Sequence, residues 1–293
     1  MEESIRKAGI LLEALPYIQS FQKKIVVIKL GGSAMSSPKH VEGVLRDIVF
    51  MEAVKMKPIL VHGGGNAITR RMKKEGISAR FVEGLRVTDA KTIGIVREVL
   101  SGINAELAGM IEEMGGRASA MSAGENSVIR ARKHRLPASA KAAGEDIGFV
   151  GEVDRVIEKD IRKLIGKDTV PVIAPLGQDE RGRFYNINAD IAAGEIAADL
   201  AAEKLVFLTD VAGIIRPDER GRETQPFSSL KRKEIESLLK EEVIGGGMIP
   251  KVRAGLNALE KGVEKIHIID GRVPHSLLLE IFTDKGVGTE IVG

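Results

Sequence analysis

The sequence predicts an α/β fold with a mainly parallel central sheet, and two observations lead to this prediction. Short apolar runs end in glycine clusters, first in Ile25–Met35 and again in Pro58–Gly65, and a helical pattern follows each cluster. Strands that alternate with helices in this order form parallel sheets, which bind ligands at the carboxyl ends of their strands. The 293 residues are enough for one continuous α/β domain.

Composition excludes several classes of protein. The chain has 44 basic and 41 acidic residues, so it lacks the clustered positive excess of a nucleic-acid binder. It has no cysteine, which excludes disulfides and cysteine-bound metals. Its first 22 residues lack the pattern of a signal peptide, and no apolar run approaches the ~20 residues of a membrane span. We therefore expect a soluble, cytoplasmic protein that binds neither nucleic acid nor membranes.

The first 22 residues are predicted to form a helical arm ahead of the first strand. Its apolar residues lie at helical spacing: Ile5, Ala8, Leu12 and Leu15. Pro16 is expected to kink this helix, which then continues over Tyr17–Phe21. The arm either packs on its own domain or docks on another subunit.

The pattern up to residue 175 predicts strands that alternate with helices. The predicted helices are Lys39–Met56, Asn66–Glu75, a helix capped by Thr88 or Asp89 that runs through Glu112, and Glu158–Ile165. The predicted strands are Ile25–Ile28, Pro58–His62, Arg117–Ser122, Ser127–Arg132, Ile147–Val156 and Val170–Pro175. We expect the strands at 117–122, 127–132 and 147–156 to form a mixed, less regular part of the same sheet.

The remaining residues continue the alternation. The predicted helices are an Ala-rich helix from Asp190 to about Glu203, Ser229–Lys240, a helix opened by Gly245–Lys251, and Pro274–Ile281. The predicted strands are Leu205–Thr209, Lys265–Asp270 and a final edge strand, Thr289–Val292. The simplest division has two lobes, residues 23–175 and 176–293, joined near residue 175 within one continuous domain.

Glycine clusters at three strand–helix junctions indicate that the protein handles phosphate. They are Gly31-Gly32, Gly63–Gly65 and Gly245–Gly247. Glycine lets backbone amides approach an anion closely, and a helix N-terminus adds a favourable dipole. Neither the P-loop pattern nor the G-x-G-x-x-G dinucleotide pattern is present, so an ordinary P-loop or dinucleotide enzyme is not expected.

Charged residues beside these junctions are candidates for the chemistry. Lys29 and Lys251 lie where two cations can approach a phosphoryl group from opposite sides. Asp190 either caps its helix or orients both lysines, and Arg86 either binds a substrate carboxylate or forms a surface ion pair. The histidines lack metal-ligand spacing and His62 is expected to be structural, so no protein-bound metal is predicted.

Seven segments together resemble the amino acid kinase family, in its branch that acts on N-acetyl-L-glutamate. They are IKLGGSAM, VHGGGNAI, GLRVTDA, YNINADIAAGEIA, FLTDVAGI, GGGMIPKV and HSLLLEIFTDKGVGTEIV. The resemblance implies a three-layer α-β-α sandwich. It also implies that ATP, carrying Mg²⁺, phosphorylates the γ-carboxylate of N-acetyl-L-glutamate in arginine biosynthesis, which yields N-acetylglutamyl phosphate and ADP.

The resemblance also implies roles for individual residues. Lys29 and Lys251 would stabilise the transition state, and Asp190 would organise them. The acceptor substrate would contact Gly64, Gly65, Arg86, Asn186 and Asn188, with Arg86 on its α-carboxylate. The phosphates and the nucleotide would contact Gly31, Gly32, Thr209, Asp210, Val211, Gly213, Ile215 and Gly245.

The N-terminal arm and the C-terminal segment resemble those of arginine-inhibited, hexameric members of the family. The resemblance implies a homohexamer built as a trimer of dimers, with arginine bound beside the arm. The residues that would bind this effector are Lys204, His275, Glu280, Gly286 and Gly288.

Two alternatives remain open from the sequence. Asn66 stands where many relatives have proline, and kinases of the aminoadipate pathway, which act on a carrier-protein-linked substrate, sometimes resemble the chain there. The GLRVTD segment and the arm favour acetylglutamate instead. A non-catalytic amino-acid sensor with the same fold would be expected to lose Lys29, Lys251 or Asp190, and all three are present.

Overall fold

An eight-stranded sheet with helices on both faces forms the centre of the protein. The computed structural model describes the chain except residues 33, 123, 125, 137–143, 218–224 and 283–285, and it describes residues 7 and 11 by their backbone alone. The helices are α1 Glu2–Phe21, α2 Pro38–Ala53, α3 Gly65–Lys74, α4 Ala90–Glu113, α5 Glu158–Ile165, α6 Ala189–Asp199, α7 Arg232–Lys240, α8 Met248–Glu260 and α9 Ser276–Phe282. The strands are β1 Ile25–Leu30, β2 Lys57–His62, β3 Phe81–Val82, β4 Leu85–Arg86, β5 Ala118–Met121, β6 Ile129–Lys133, β7 Val150–Val156, β8 Val170–Ile173, β9 Leu176–Gln178, β10 Phe184–Ile187, β11 Lys204–Thr209, β12 Ser229–Lys231, β13 Lys265–Asp270 and β14 Thr289–Val292.

The central sheet has the strand order β12-β14-β13-β11-β1-β2-β8-β5. Its neighbours pair in parallel except β13 and β14, which are antiparallel. The predicted mainly parallel sheet is therefore confirmed. The prediction that Thr289–Val292 is an edge strand is wrong, because β12 pairs with its outer side.

Alternating residues of β1 face two separate hydrophobic cores, which makes the fold three-layered. Val27 belongs to the core that contains apolar residues of α5, α6 and α8. Val26 and Ile28 belong to the core formed with α2, α4 and α9. Since side chains alternate along a strand, Lys29 lies on the same face as Val27, toward α6. The pleat thus points the lysine of this strand at the helix that carries Asp190.

A small closed barrel, β10-β7-β6-β9, lies apart from the central sheet. The prediction that three strands form a mixed part of the main sheet is therefore wrong for two of them. Only β5 extends the main sheet, by pairing with β8, whereas β6 and β7 pair with each other in the barrel. Alternation of apolar residues predicts a strand, but partners distant in sequence decide which sheet it joins.

Most predicted elements are present, with several corrected ends. The predicted helix Ser229–Lys240 is wrong in its first turn, because Ser229–Lys231 is strand β12. The Ala-rich helix ends at Asp199 rather than near Glu203, and α1 runs through Pro16 as one helix. Asp89, not Thr88, caps α4 by accepting a hydrogen bond from Thr92 N at 2.7 Å. The division into lobes near residue 175 stays a prediction.

The packing inside the small barrel can be tested at Gly177 of β9, which has no room for a side chain. A methyl group at Gly177 would overlap the side chains of Ala131 and Ile187. We expect Gly177→Ala to lower the free energy of unfolding by about 1–3 kcal/mol through overpacking. Gly43→Ala in α2 is the matched control, since its methyl group meets nothing within 4 Å, and it should be neutral or stabilising by about 0.5–1 kcal/mol. Urea denaturation of both variants measures this, and equal stability of the two would contradict the packing argument.

Candidate active site

A cavity of about 410 Å³ opens at the carboxyl ends of β1 and β2, beside the N-terminus of α6. The structure brings most of the predicted acceptor and catalytic residues together around it. The predicted residues that line it are Lys29, Gly32, Gly64, Gly65, Arg86, Asn186, Asn188 and Asp190. Residues from distant parts of the chain therefore meet at the edge of the sheet where ligands of parallel α/β proteins bind.

Asp190 forms ion pairs with both candidate lysines. Its Oδ1 lies 2.8 Å from Lys29 Nζ, and its Oδ2 lies 3.3 Å from Lys251 Nζ. Lys251 Nζ also donates to the carbonyl of Gly247, at 3.2 Å, in the glycine run before α8. The cluster carries one net positive charge, because one carboxylate holds two ammonium groups. Such a cluster is suited to bind an anionic group from two sides.

Asn188 caps α6, and this leaves the Asp190 carboxylate available to the lysines. Asn188 Oδ1 accepts hydrogen bonds from Asp190 N at 2.8 Å and from Ile191 N at 3.2 Å. The capping role that was an alternative for Asp190 therefore belongs to Asn188. Since the Asn188 oxygen is occupied by the cap, any contact it makes with a substrate falls to its amide nitrogen.

Lys29 is buried, with only 5% of the residue exposed, and this burial affects its pKa. Burial lowers the pKa of Lys29 and the charge of Lys251 lowers it further, while Asp190 acts in the opposite direction. Asp190 is thus the counter-charge that keeps an ammonium group in a buried position. Loss of this carboxylate would leave two like charges facing each other.

Arg86 lines the same cavity from the β3–β4 hairpin. Its guanidinium donates from NH2 to the Gly65 carbonyl at 2.9 Å and to Thr69 Oγ1 at 2.8 Å. The guanidinium also lies 4.8 Å from the centre of the Phe81 ring. The residue is 7% exposed, so the surface ion pair considered for it is not what the structure contains. Thr69 and Phe81, which hold Arg86 in place, carry no signal in the sequence that would single them out.

The Gly63–Gly65 loop and Asn186 complete the cavity wall. Gly63 N donates to Leu30 O at 3.0 Å, which ties this loop to the end of β1. A side chain on Gly64 would overlap the end of the Leu100 side chain of α4, so Leu100 would have to shift to make room for it. Asn186 Nδ2 lies 3.4 Å from Thr88 Oγ1 at the start of the segment that leads into α4.

Except for Gly32, the predicted nucleotide residues do not line this cavity. Thr209 is the last residue of β11. Asp210 and Val211 directly after it, and Gly245 in the glycine run before α8, are exposed. Gly213 has φ +146° and is packed beside Thr289, whose Oγ1 accepts from Ile214 N at 2.8 Å. Ile215 precedes residues 218–224, which lie outside the described part of the chain.

The two glycines after β1 differ from each other. Gly31 N donates to Leu208 O at 3.2 Å, so this amide is already engaged with β11. Gly32 lines the cavity instead. The prediction that both amides bind a phosphate is therefore consistent with the structure for Gly32, but not for Gly31, whose amide is already hydrogen-bonded.

Most of the predicted effector residues lie near Glu280. Glu280 Oε1 contacts His267 Nδ1 at 2.6 Å, and Oε2 accepts from Val287 N at 2.8 Å beside Gly286. The charge of Glu280 acts to raise the pKa of Lys204, which burial lowers more strongly.

Two of the predicted effector residues, Gly288 and His275, make contacts other than with Glu280. Gly288 packs directly against the backbone of β13. His275 lies apart, with its Nδ1 2.7 Å from Asp47 Oδ1 of α2. His267, which lies inside an apolar strand and was not among the predicted effector residues, contacts Glu280.

No group of three or more metal-ligating side chains occurs within the part of the chain that the structure describes. No helix among the described residues is long and apolar enough to span a membrane.

The mainly parallel three-layer fold and the paired lysines define an α/β protein with a cationic cluster beside its cleft. The family model "Amino acid kinase family" matches residues 24–270. The chain therefore belongs to the amino acid kinase family. It is 46% identical to the acetylglutamate kinase of Heliobacterium modesticaldum, with all of both chains covered. It is 47% identical to the acetylglutamate kinase of Aquifex aeolicus, over 99% of each chain.

Solved structures show the same fold in a larger protein. N-acetylglutamate synthase from Neisseria gonorrhoeae, complexed with coenzyme A and N-acetyl-glutamate, is similar with a TM-score of 0.83 at 24% identity over 98% of this chain. Its complex with coenzyme A and L-arginine gives a TM-score of 0.81 at 25% identity over 97% of this chain. The chain spans 63% and 65% of the length of the synthase in these two structures.

The lowered pKa of Lys29 leads to a prediction about proton loss. We expect Lys29 to lose its proton below the ordinary lysine value of 10.5, because burial disfavours its charge. Folding therefore costs free energy while Lys29 is charged, and this cost shrinks as the pH rises through the lowered pKa. Asp190→Asn should lower the pKa of Lys29 further, since the carboxylate acts to raise it. NMR titration of the Lys29 side chain in both proteins tests this, and proton loss at or above 10.5 in the native protein would contradict it.

Proposed function

We propose that this protein transfers the γ-phosphoryl group of ATP to the γ-carboxylate of N-acetyl-L-glutamate. The products are ADP and the acyl phosphate N-acetylglutamyl phosphate. The reaction would be a step of arginine biosynthesis in the cytoplasm. The observation that carries the proposal is the contact of Asp190 with both Lys29 and Lys251 at the cavity mouth. The full-length similarity to acetylglutamate kinases supports the choice of acceptor.

The two lysines would act by charge compensation. A carboxylate is already a nucleophile at neutral pH, so no strong general base is needed, and the barrier falls through alignment and electrostatics. Lys29 on β1 and Lys251 on α8 approach Asp190 from different elements, which suits them to neutralise the oxygens of a phosphoryl group in transfer. Asp190 keeps the two ammonium groups in register and does not itself react.

The acceptor would lie in the cavity with its two carboxylates at opposite ends. Arg86, held by Gly65 O and Thr69, would bind the α-carboxylate, while Gly64 and Gly65 would present amides near the γ-carboxylate. The amide groups of Asn186 and Asn188 line the wall and suit the N-acetyl group and the backbone atoms of the substrate. A carrier-protein-linked aminoadipate is the alternative acceptor, because Asn66 also lines this cavity.

The nucleotide would occupy the side of α8, in the proposed lobe 176–293. Thr209, Asp210, Val211, Gly213, Ile215 and Gly245 would contact it, with Gly32 beside its phosphates. Mg²⁺ would enter with the nucleotide and neutralise phosphate oxygens. This fits a cluster in which the Asp190 carboxylate is already paired with the ammonium groups of Lys29 and Lys251.

We also propose feedback inhibition by arginine at the cluster around Glu280. The carboxylate of Glu280 suits a guanidinium, and Lys204 supplies a cation for an α-carboxylate. Lys204 Nζ lies 4.9 Å from the ring centre of Phe21 in α1, so the cluster adjoins the arm. The synthase of similar fold is complexed with L-arginine in one of its structures, which supports this ligand.

A homohexamer, a trimer of dimers, would place the arm on another subunit. The residues Ile5, Ile10, Leu12 and Leu15 of α1 are 43–68% exposed. Burial of such apolar side chains is favourable, so the arm is suited to dock on a second copy of the chain.

The acceptor is tested by trapping the product. We expect ATP turnover to depend on N-acetyl-L-glutamate and hydroxylamine to convert the product to a hydroxamate, because an acyl phosphate is a reactive acylating agent. Aspartate, carbamate, glutamate, UMP and a carrier-linked aminoadipate are tested in the same assay. Turnover of one of these without turnover of acetylglutamate would contradict the proposal.

The same assay includes Lys29→Ala and Lys251→Ala as catalytic controls. We expect kcat to fall by about 10²–10³ for each, as for loss of one electrostatic contact to the transition state. Circular dichroism checks that the fold is retained. Near-native rates in a folded variant would refute the role of that lysine.

The arm is tested by deletion of Met1–Ser20. We expect the truncated protein to be a dimer with reduced sensitivity to arginine, since the arm would no longer link dimers and Phe21, which lies beside Lys204, would lose the rest of its helix. Sedimentation and inhibition curves measure both properties. A truncated protein that remains a hexamer with unchanged sensitivity would contradict the proposal.

A further inference from the structure

A buried imidazole lies directly behind the glycine loop of the cavity. His62 ends β2, is fully buried, and contacts Gly63 O through Nδ1 at 3.0 Å. Its Nε2 lies 3.1 Å from Nδ2 of Asn104, which is also fully buried, in the middle of α4. No role in substrate contact explains this pair, because neither side chain lines the cavity.

The hydrogen-bond network determines which nitrogen of His62 carries the proton. Asn104 Nδ2 lies 2.8 Å from the carbonyl of Val172, which can only accept, so the amide nitrogen must face this carbonyl. The second hydrogen of the same nitrogen then points to His62 Nε2, which must accept it. The proton of the neutral ring is therefore on Nδ1, where it is donated to Gly63 O. Burial lowers the pKa of His62 to about 4, so the ring is neutral at pH 7.

This bond controls the direction of the next amide. The peptide between Gly63 and Gly64 is planar and trans, so the Gly64 N–H points opposite to the Gly63 carbonyl. Between two glycines such a peptide rotates with little steric resistance. The preceding peptide is fixed because Gly63 N donates to Leu30 O. The Gly63–Gly64 peptide itself is held through its carbonyl, because Gly63 O accepts from His62.

We propose that His62 is a positioning residue of the reaction, which, held by Asn104, keeps the Gly63–Gly64 peptide turned so that the Gly64 amide faces the acceptor and the transferring phosphoryl group. The inference rests on the proposed function, since Gly64 belongs to its acceptor site. Asn104 is the outer member of the pair, and it fixes the tautomer without touching the substrate.

Two substitutions of His62 separate positioning from simple packing. An Asn side chain places its amide where Nδ1 lies, so His62→Asn keeps the donor to Gly63 O and loses the contact with Asn104. His62→Gln reaches toward Asn104 and loses the donor to Gly63. Each variant loses one buried hydrogen bond, so the two should lose similar stability in thermal denaturation.

The kinetic result then decides the inference. In the hydroxylamine assay we expect kcat to fall about 10- to 100-fold in His62→Gln but only about threefold in His62→Asn, as for misplacement of a catalytic contact. The KM for ATP should be unchanged in both variants, because most of the proposed nucleotide residues lie outside the cavity that Gly64 lines. Equal losses of kcat in two variants of equal stability would overturn the proposal.

A measurement on the unmodified protein keeps the test independent of folding and of the substrate. Nitrogen-15 NMR of labelled histidine should show His62 as the neutral Nδ1-protonated tautomer at pH 7. A proton on Nε2 would overturn the inference even if acetylglutamate is the substrate. If native protein fails to phosphorylate acetylglutamate, the proposed function fails, while the tautomer still decides whether His62 holds the loop.

Discussion

One carboxylate between two ammonium groups is the interaction on which the cleft depends. Asp190 contacts Lys29 of β1 and Lys251 of α8, and it lies in the first turn of α6, the helix that the chain forms between those two elements. Burial and the charge of Lys251 both lower the pKa of Lys29, and Asp190 is the counter-charge that keeps Lys29 charged in this buried position. The contact joins three elements and leaves one positive charge for an anionic ligand.

The surrounding backbone supports this contact from behind. Asn188 caps α6 and leaves Asp190 available, and Gly31 N bonds to Leu208 O, which ties the end of β1 to β11. Behind the second glycine loop, His62 and Asn104 form a buried polar pair between β2, α4 and β8. Buried polar groups of this kind specify one arrangement when their partners are present, and this explains how flexible glycine loops can form a defined cleft.

Much of the site was predictable, but not all of it. Lys29 and Lys251 stand beside glycine junctions and Asp190 stands at the start of a predicted helix, and together with the glycine clusters they predict phosphate chemistry. Phe81 and Thr69, which hold Arg86, and His267, which contacts Glu280, were missed, because ordinary residues in strands and helices gain such roles only through neighbours distant in sequence. Asn104 carried a usable signal, since it lies on the apolar face of α4 with Leu100 and Leu107.

The sequence by itself determined the alternation of strands and helices, the mainly parallel sheet and the cations at the glycine junctions, because these follow from local periodicity and residue type. The tertiary structure decided that β6 and β7 leave the main sheet for a barrel and that β12 covers β14. It also decided that Asn188 rather than Asp190 caps α6, and that His267 contacts Glu280 while His275 contacts Asp47. Each of these depends on pairing or packing between segments far apart in the chain, which local pattern does not encode.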